Sequence, residues 1–350
     1  MRTGTGAGYT SPWSGDIMAM PLRFDKAKDV IVGIGNALVD ILAHEDDAFV
    51  EKSGYGKGGM NYVDSDFIDR MVSQTSGTPV VVSGGSACNT TIGVGKLGGK
   101  ARFIGKCAQD PMGDLFKKDL QNSHVHPLLM TSASPTGRVL SIVTPDAQRS
   151  MFTYLGAASE LVPDEIAGCS FLDAAVVHIE GYLLFNNELI IKALSRAKED
   201  GSMISLDLAS YTVVESAKSL LETLVSKYVD ILMANEDEAA AFTGYVDERK
   251  AIEALAEKAR IAVLKIGKRG SYIAYDGNIV KIDPMGKGPA KDTTGAGDLW
   301  ASGFLFGLTR GYGVEKCGRL ASACGYEVCQ VVGATIPHEG WERIKRITEE

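Results

Sequence analysis

No run of 18 or more apolar residues occurs in the chain, which excludes a membrane-spanning helix of ordinary length. An excess of positive charge is lacking too. With 36 basic against 44 acidic residues the formal charge is -8, so no global field draws the protein to nucleic acid or to an anionic membrane. Cysteine is sparse: Cys88, Cys107, Cys169, Cys317, Cys324 and Cys329 are scattered and include no CxxC pair. That excludes a disulfide framework or zinc cluster and predicts a reducing, cytoplasmic setting, with most of the six as small buried apolar groups. Residues 1–20 lack the basic start and long apolar middle of a signal peptide, and their Gly, Ser and Thr content predicts a disordered leader over 1–28.

What is present is an ordinary globular composition, 45% hydrophobic and 23% charged over 350 residues, enough for one large domain or two of common size. From Asp29 onward, short β-branched runs alternate with amphipathic segments. VIVGIG (30–35), VVVS (80–83), ARFIG (101–105), AAVVHIE (174–180), SMISLDL (202–208), DILMAN (230–235) and IAVLKIG (261–267) read as strands. Helical patterns cover 86–97 and 188–200, another runs to Lys227, and two more precede residue 261. The alternation predicts an α/β protein with a doubly wound, mostly parallel sheet.

Two stretches interrupt it. Residues 43–62 are polar and glycine-rich with little helical period, and residues 137–155 hold two β-type runs around TPDAQ, the pattern of a hairpin. We expect a small β-sheet lid from 43–62 and 127–157, over an α/β core made of 29–42, 63–126 and 158–350. The plainer alternative is a surface hairpin on the main domain.

The chemistry concentrates in a few loops. In DTTGAGDLWASGFLFGL (292–308), Gly295, Ala296 and Gly297 lead into an apolar helix, where free N–H groups and the helix dipole favour an anion. Asp298 lies in the same turn, where a carboxylate can take the proton of an attacking hydroxyl while the amides stabilise a transferring phosphoryl group. An N-capping Asp with a packing Gly would be the purely structural account. In SGGSACNTTIGVGKLGG (83–99), Gly84 and Gly85 end a strand and Asn89 offers a donor and an acceptor to a substrate hydroxyl. The segment lacks Walker A spacing, and a tight strand-to-helix turn explains it as well.

In these two segments the sequence resembles the ribokinase-like (PfkB) carbohydrate and nucleoside kinases, from about Asp29 to Ile344. The resemblance implies that family's α/β fold with a β lid, and a kinase that uses Mg²⁺ and ATP. It makes Asp298 the catalytic base and Gly295, Ala296 and Gly297 the anion hole. NEDE (235–238) looks like the family's Asn-x-x-Glu motif, which assigns Asn235 and Glu238 to Mg²⁺ through water, although the same spacing is that of a capping box. LKIGKRGSYI (264–273) resembles the nucleotide site, with Lys265, Gly267 and Gly270 contributing, and Thr293 beside them. Asn36 and Asp40 of GNALVDI (35–41), together with Gly84, Gly85 and Asn89, are implied as acceptor-binding residues. Arg149 looks like a lid arginine that reaches substrate or phosphate.

The Gly-Asn-x-x-x-Asp-Ile opening looks more like adenosine kinases than ribokinases, so the expected acceptor is an adenosine-like nucleoside, with a free sugar such as ribose or fructose as the alternative. Phe152, Tyr154, Met60 and Tyr62 are candidates to stack on a base. Thr294 stands where many adenosine kinases have Asn, and residues 321–334 hold no diagnostic nucleotide contact. K⁺ activation is known in the family through the loop of Asp292. Beyond enzymes, a metabolite sensor on a kinase scaffold is the rival class, and an intact Asp298 with Gly-Ala-Gly speaks against it. A dehydrogenase is excluded because GIGNAL (33–38) is not GxGxxG. No nucleic-acid or membrane partner is expected, and the assembly is a monomer or a dimer paired through the lids.

Overall fold

The computed structural model describes residue 25, residues 27–146 and residues 148–349, so the expected leader lies almost wholly outside the described residues. In chain order the strands are β1 (Val30–Ile34), β2 (Leu38–His44), β3 (Gly59–Tyr62), β4 (Val80–Gly84), β5 (Lys100–Ala108), β6 (Val125–Ser132) and β7 (Gly137–Val143). They continue with β8 (Arg149–Tyr154), β9 (Ala174–Glu180), β10 (Met203–Asp207), β11 (Ile231–Asn235), β12 (Ile261–Lys265), β13 (Ser271–Tyr275) and β14 (Asn278–Ile282).

Nine strands form one sheet in the order β14-β13-β12-β11-β10-β9-β1-β5-β6. From β12 to β6 every pairing is parallel, and the β13–β14 hairpin closes one edge antiparallel. Strands covered on both faces read as unbroken apolar runs, and β9 is buried at every position. Alternate residues feed opposite layers: Val32, Val177 and Ile204 pack into one cluster, Ile31, Val176 and Ile231 into the other.

The second sheet has five strands in the order β3-β8-β7-β2-β4. Its period-2 alternation is sharp. Ile41, Leu140, Ile142 and Phe152 face a small core with Phe67 and Ile68, while Leu38, Asp40, Leu42, Val139, Ser141, Arg149, Met151 and Thr153 face a cleft shared with the large sheet. The helices Asp47–Lys52 and Ser65–Val72, capped by Asp46 and Asp64, cover the far face of this sheet.

Sheet membership departs from the expected boundaries. β2 and β4, expected in the core, belong to the second sheet, and so does the helix at 65–72. Only residues 35–37 link β1 to β2, and a parallel neighbour needs a crossover of about a dozen residues, so β2 cannot rejoin the sheet beside β1. Conversely, residues 127–132, expected in the lid, lie in β6 and pair with β5 at the edge of the large sheet. Pro127 is at home in an edge strand. The stretch 43–62 also contains a helix where little helical period was read. The hairpin at 137–155 is present as β7 paired antiparallel with β8.

Candidate active site

Five parallel strands deliver polar side chains to one end of the large sheet. Asn36 follows β1, Glu180 ends β9, Asp207 ends β10, Asn235 ends β11 and Lys265 ends β12. Ligands of open α/β sheets bind outside these carboxyl ends, and all five residues line a cleft of about 1500 Å³. That volume exceeds the range of a single small-ligand pocket, about 300–1000 Å³, and so suits two substrates side by side.

The helix Ala296–Thr309 aims its N-terminus into the middle of this cleft. Gly295 caps it at φ +70°, a conformation that costs glycine little. The Ala296 amide is engaged, donating to the Thr293 carbonyl at 3.1 Å, so Ala296 leaves the expected anion hole. The amides of Gly295, Gly297 and Asp298 have no acceptor among the described residues. These three N–H groups, on the positive end of the helix dipole, remain available to an anion.

Asp298 lies in the first turn of that helix, deep in the protein yet bordering the cleft. One carboxylate oxygen accepts from the Ser86 hydroxyl at 2.7 Å and the other from the Asn89 amide at 3.0 Å. Burial raises its pKa, which the Asn89 and Ser86 hydrogen bonds partly offset. Each oxygen keeps a lone pair for an incoming hydroxyl. Asn89, expected on the acceptor, is instead 6% exposed and spends its donor on Asp298.

On one side of Asp298 lies the cleft face of the second sheet. Asp40 projects from β2 into the cleft and accepts no hydrogen bond from the described residues. Burial pushes its pKa up to about 7, with Arg149 opposing the shift. Gly84 stands opposite Leu38 in β4, where a Cβ would collide with the Asp40 carboxylate. Gly85, at φ +92°, lets the start of the helix Ser86–Lys96 approach the Asn36 carbonyl. Arg149 reaches across to Asp292 at 3.3 Å. Asp292 in turn accepts from the Thr294 amide and hydroxyl and from the Gly333 amide, which outweigh burial and hold its carboxyl below the usual range.

On the other side, Asn235 and Glu238 form a capping box: Asn235 donates from its backbone and side-chain N–H to the two Glu238 oxygens, at 2.8 and 2.7 Å. Gly267 and Gly270 both border the cleft. Gly270 is also required by packing, because a Cβ there would strike the Ile282 carbonyl. Thr293 lines the cleft beside them. No group of three or more His, Cys, Asp or Glu suited to a metal occurs among the described residues, so a cation here would depend on water for most of its ligands.

Residues 60–340 match the description pfkB family carbohydrate kinase. The chain belongs to the PfkB family. It is therefore a kinase. Among solved structures, adenosine kinase from Sinorhizobium meliloti is 35% identical, covers 92% of this chain and 99% of its own, and superposes with TM-score 0.83. A probable sugar kinase from Rhizobium etli is 33% identical over the same shares, with TM-score 0.84. Among curated proteins, 5-dehydro-2-deoxygluconokinase from Shouchella clausii is 26% identical over 95% of this chain and 99% of its own. Both solved structures share the α/β fold described above.

Several residues of this PfkB site escaped the sequence reading. The Ser86 hydroxyl donates to the Asp298 carboxylate, and the Thr90 hydroxyl donates to the Asp298 backbone carbonyl. Glu180 accepts from the Asn36 backbone and side-chain N–H and from the Ala87 amide, so it ties β1 to the helix that carries Ser86 and Asn89. Asp207 pairs with Lys265 at 2.6 Å. A carboxylate closing a largely apolar strand, as in AAVVHIE and SMISLD, was the available signal for both. Residues 284–290, with Ser322, Gly325, Tyr326, Cys329 and Gln330, line the expected nucleotide end. Of the stacking candidates, Phe152 is fully buried against Phe67 in the second sheet's own core, and Tyr154 lies outside the cleft lining. Met60 and Tyr62 do line the cleft.

Burial raises Glu180 as well as Asp40 to about 7. Both carboxyls then hold their protons more tightly folded than unfolded, so stability is lost as pH climbs from the ordinary carboxylate range through about 7. The Tm of the ligand-free protein should fall by at least about 2 °C between about pH 5.5 and about pH 8 in scanning calorimetry. A Tm that rises over that window would contradict the burial of these groups.

Proposed function

We propose that this kinase transfers the γ-phosphoryl group of ATP, in line, to a hydroxymethyl group of an adenosine-like nucleoside. The observation that carries the reading is the shared turn: Asp298, held by Ser86 and Asn89, sits beside the unengaged amides of Gly295 and Gly297. In the transfer the acceptor oxygen bonds to phosphorus as the bond to ADP breaks, and the hydroxyl proton passes to the Asp298 carboxylate. The amides stabilise charge on the moving phosphoryl group. Asn36 and Asp40 hold the acceptor's hydroxyls, with Arg149 beside them and Glu180 fixing Asn36. Residues 284–290 and 322–330 receive the nucleotide.

Mg²⁺ supplies neutralisation of phosphate charge when bound. Asn235 and Glu238 border the cleft and fit a hydrated ion held mostly through its waters. A K⁺ requirement would centre on the Asp292 loop, whose carboxylate is already held by Thr294, Gly333 and Arg149. A cytoplasmic setting accords with six unpaired cysteines.

A nucleoside is favoured because the space around Asp40 is walled by Leu38, Leu42, Met60, Tyr62 and Met151, apolar surface suited to a base. The similar adenosine kinase supports the same reading. A free sugar is the second reading. It is favoured by the polar group Asn36, Asp40, Arg149 and Glu180, and by the similar 5-dehydro-2-deoxygluconokinase. The test is ADP release with Mg·ATP against nucleosides, ribose, fructose and gluconate-type acids, with and without K⁺. We expect kcat/KM for adenosine to exceed that for any free sugar by about 100-fold. A sugar turned over as well as adenosine would reverse the preference.

A further inference from the structure

Buried polar atoms almost always find a hydrogen-bond partner, so an exception asks for a reason. Among the described residues three side chains keep a buried polar atom without one: Thr153 at Oγ1, His178 at Nε2 and Ser271 at Oγ. His178 lies within the large sheet on β9, its other ring nitrogen 3.0 Å from the Ser205 hydroxyl, and Ser271 opens β13. Neither borders the cleft. Thr153 does, from β8, with 3% of the residue exposed.

Packing alone does not call for this hydroxyl. A valine would give β8 the same shape and the same β-branched stiffness without an orphaned polar group. Hydroxyl and methyl exchange places on Cβ by rotation about χ1, so the hydroxyl can turn toward whatever fills the cleft.

The register shows what it would meet. Asp40 on β2 pairs with Val139 on β7, Val139 with Thr153 on β8, and Thr153 with Tyr62 on β3. Laterally paired residues share a face, and all four border the cleft. The row therefore runs acid, apolar, hydroxyl, aromatic. Asp40 and Thr153 stand two strand spacings apart, about 9–10 Å, which is wider than a single sugar ring and close to the length of a ribose joined to a heterocycle. Between them Val139 offers only apolar surface.

We propose that Thr153 is a specificity-determining residue for the acceptor, its hydroxyl hydrogen-bonding the polar edge of a nucleobase whose ribose hydroxyls are held by Asp40. This rests on the nucleoside reading above. A threonine hydroxyl both donates and accepts, so a ring nitrogen or an exocyclic amine satisfies it. Tyr62, next in the row, bounds the base at the outer strand of the sheet. A free sugar seated on Asp40 ends over Val139 and leaves the hydroxyl orphaned. The contact thus adds to the preference for a nucleoside, since a site with an unmet polar group discriminates against the ligand that cannot reach it.

Thr153→Val and Thr153→Ser separate the hydroxyl from the shape of the side chain. Adenosine KM and kcat are measured at saturating Mg·ATP, together with the KM for ATP and the Tm of the ligand-free proteins. Valine should raise the adenosine KM about 10-fold and leave kcat and the KM for ATP within about twofold. The bond lies away from the reacting hydroxyl and so acts on ground and transition states alike. Serine should stay within about threefold of wild type throughout. The ligand-free Tm should hold or rise with valine, because an orphan group has been removed. An adenosine KM unchanged by valine, or raised as much by serine as by valine, would overturn the proposal. A fall in Tm with valine would assign the hydroxyl to the fold and overturn it too. If the wild-type protein phosphorylates free sugars and no nucleoside, the nucleoside reading falls and this assignment with it, whereas nucleoside turnover indifferent to valine overturns this assignment alone.

Discussion

Asp298→Asn should lower kcat by about 100- to 10 000-fold while leaving Mg·ATP affinity within about threefold of wild type. The substitution is close to isosteric, and the local hydrogen bonds can be kept. The new amide oxygen accepts from Asn89, and the new amide N–H donates to Ser86, whose hydroxyl can turn to accept. The helix N-terminus stays formed, so the free amides of Gly295 and Gly297 still receive phosphate. What is lost is the proton acceptor alone. Single-turnover kinetics with saturating acceptor, alongside nucleotide titration, separates the two quantities. Turnover within about tenfold of wild type would remove Asp298 from the role of base.

Asp40→Ala should raise the acceptor KM by about 100-fold, with a smaller effect on kcat, because a carboxylate that grips two hydroxyls acts on ground and transition states alike. It should also make the ligand-free protein more stable at about pH 8. The Asp40 carboxylate accepts no hydrogen bond from the described residues, and burial raises it to about 7, so ionising it at alkaline pH works against folding. Removing it relieves that cost, so the same change harms the reaction and helps the fold, the usual trade at a preorganised site. The pair of readouts is diagnostic. Unchanged acceptor KM would mean that Asp40 is a buried acid with no part in binding, whereas a lower Tm at alkaline pH would mean that it holds the second sheet together.

How much of this was legible depends on the range of the interaction. The turn at 292–298 could be read because its chemistry is local: glycines, a helix start and an acid within seven positions, DTTGAGD. The strand–helix alternation was legible for the same reason, since β9, β10, β11 and β12 fall on the runs read as strands. Sheet membership was not legible. VVVS at 80–83 looks like any buried strand, and nothing in it records that it pairs antiparallel with β2 instead of entering the large sheet. The length of the link before β2 did carry that information, through the crossover rule, and was the clue passed over. Asn89 was expected on the acceptor, and its hydrogen bond to Asp298 could not be read because the two lie 209 positions apart in sequence. Glu180 and Asp207 were hidden inside runs whose apolar character drew the attention.

The second sheet is assembled from strands beginning at residues 38, 59, 80, 137 and 149, threaded between elements of the large sheet. It is therefore no detachable cassette. Asp40 and Arg149 ride on it, while Asn36 and Gly85 sit at the points where the chain passes from one sheet to the other. Any tilt of the smaller sheet would carry the proposed acceptor contacts with it, so on that proposal gripping the acceptor and shutting out solvent become a single movement. Exchanging acceptor preference between relatives would accordingly mean transplanting several separate chain segments together, with their joints, since no single loop carries the trait.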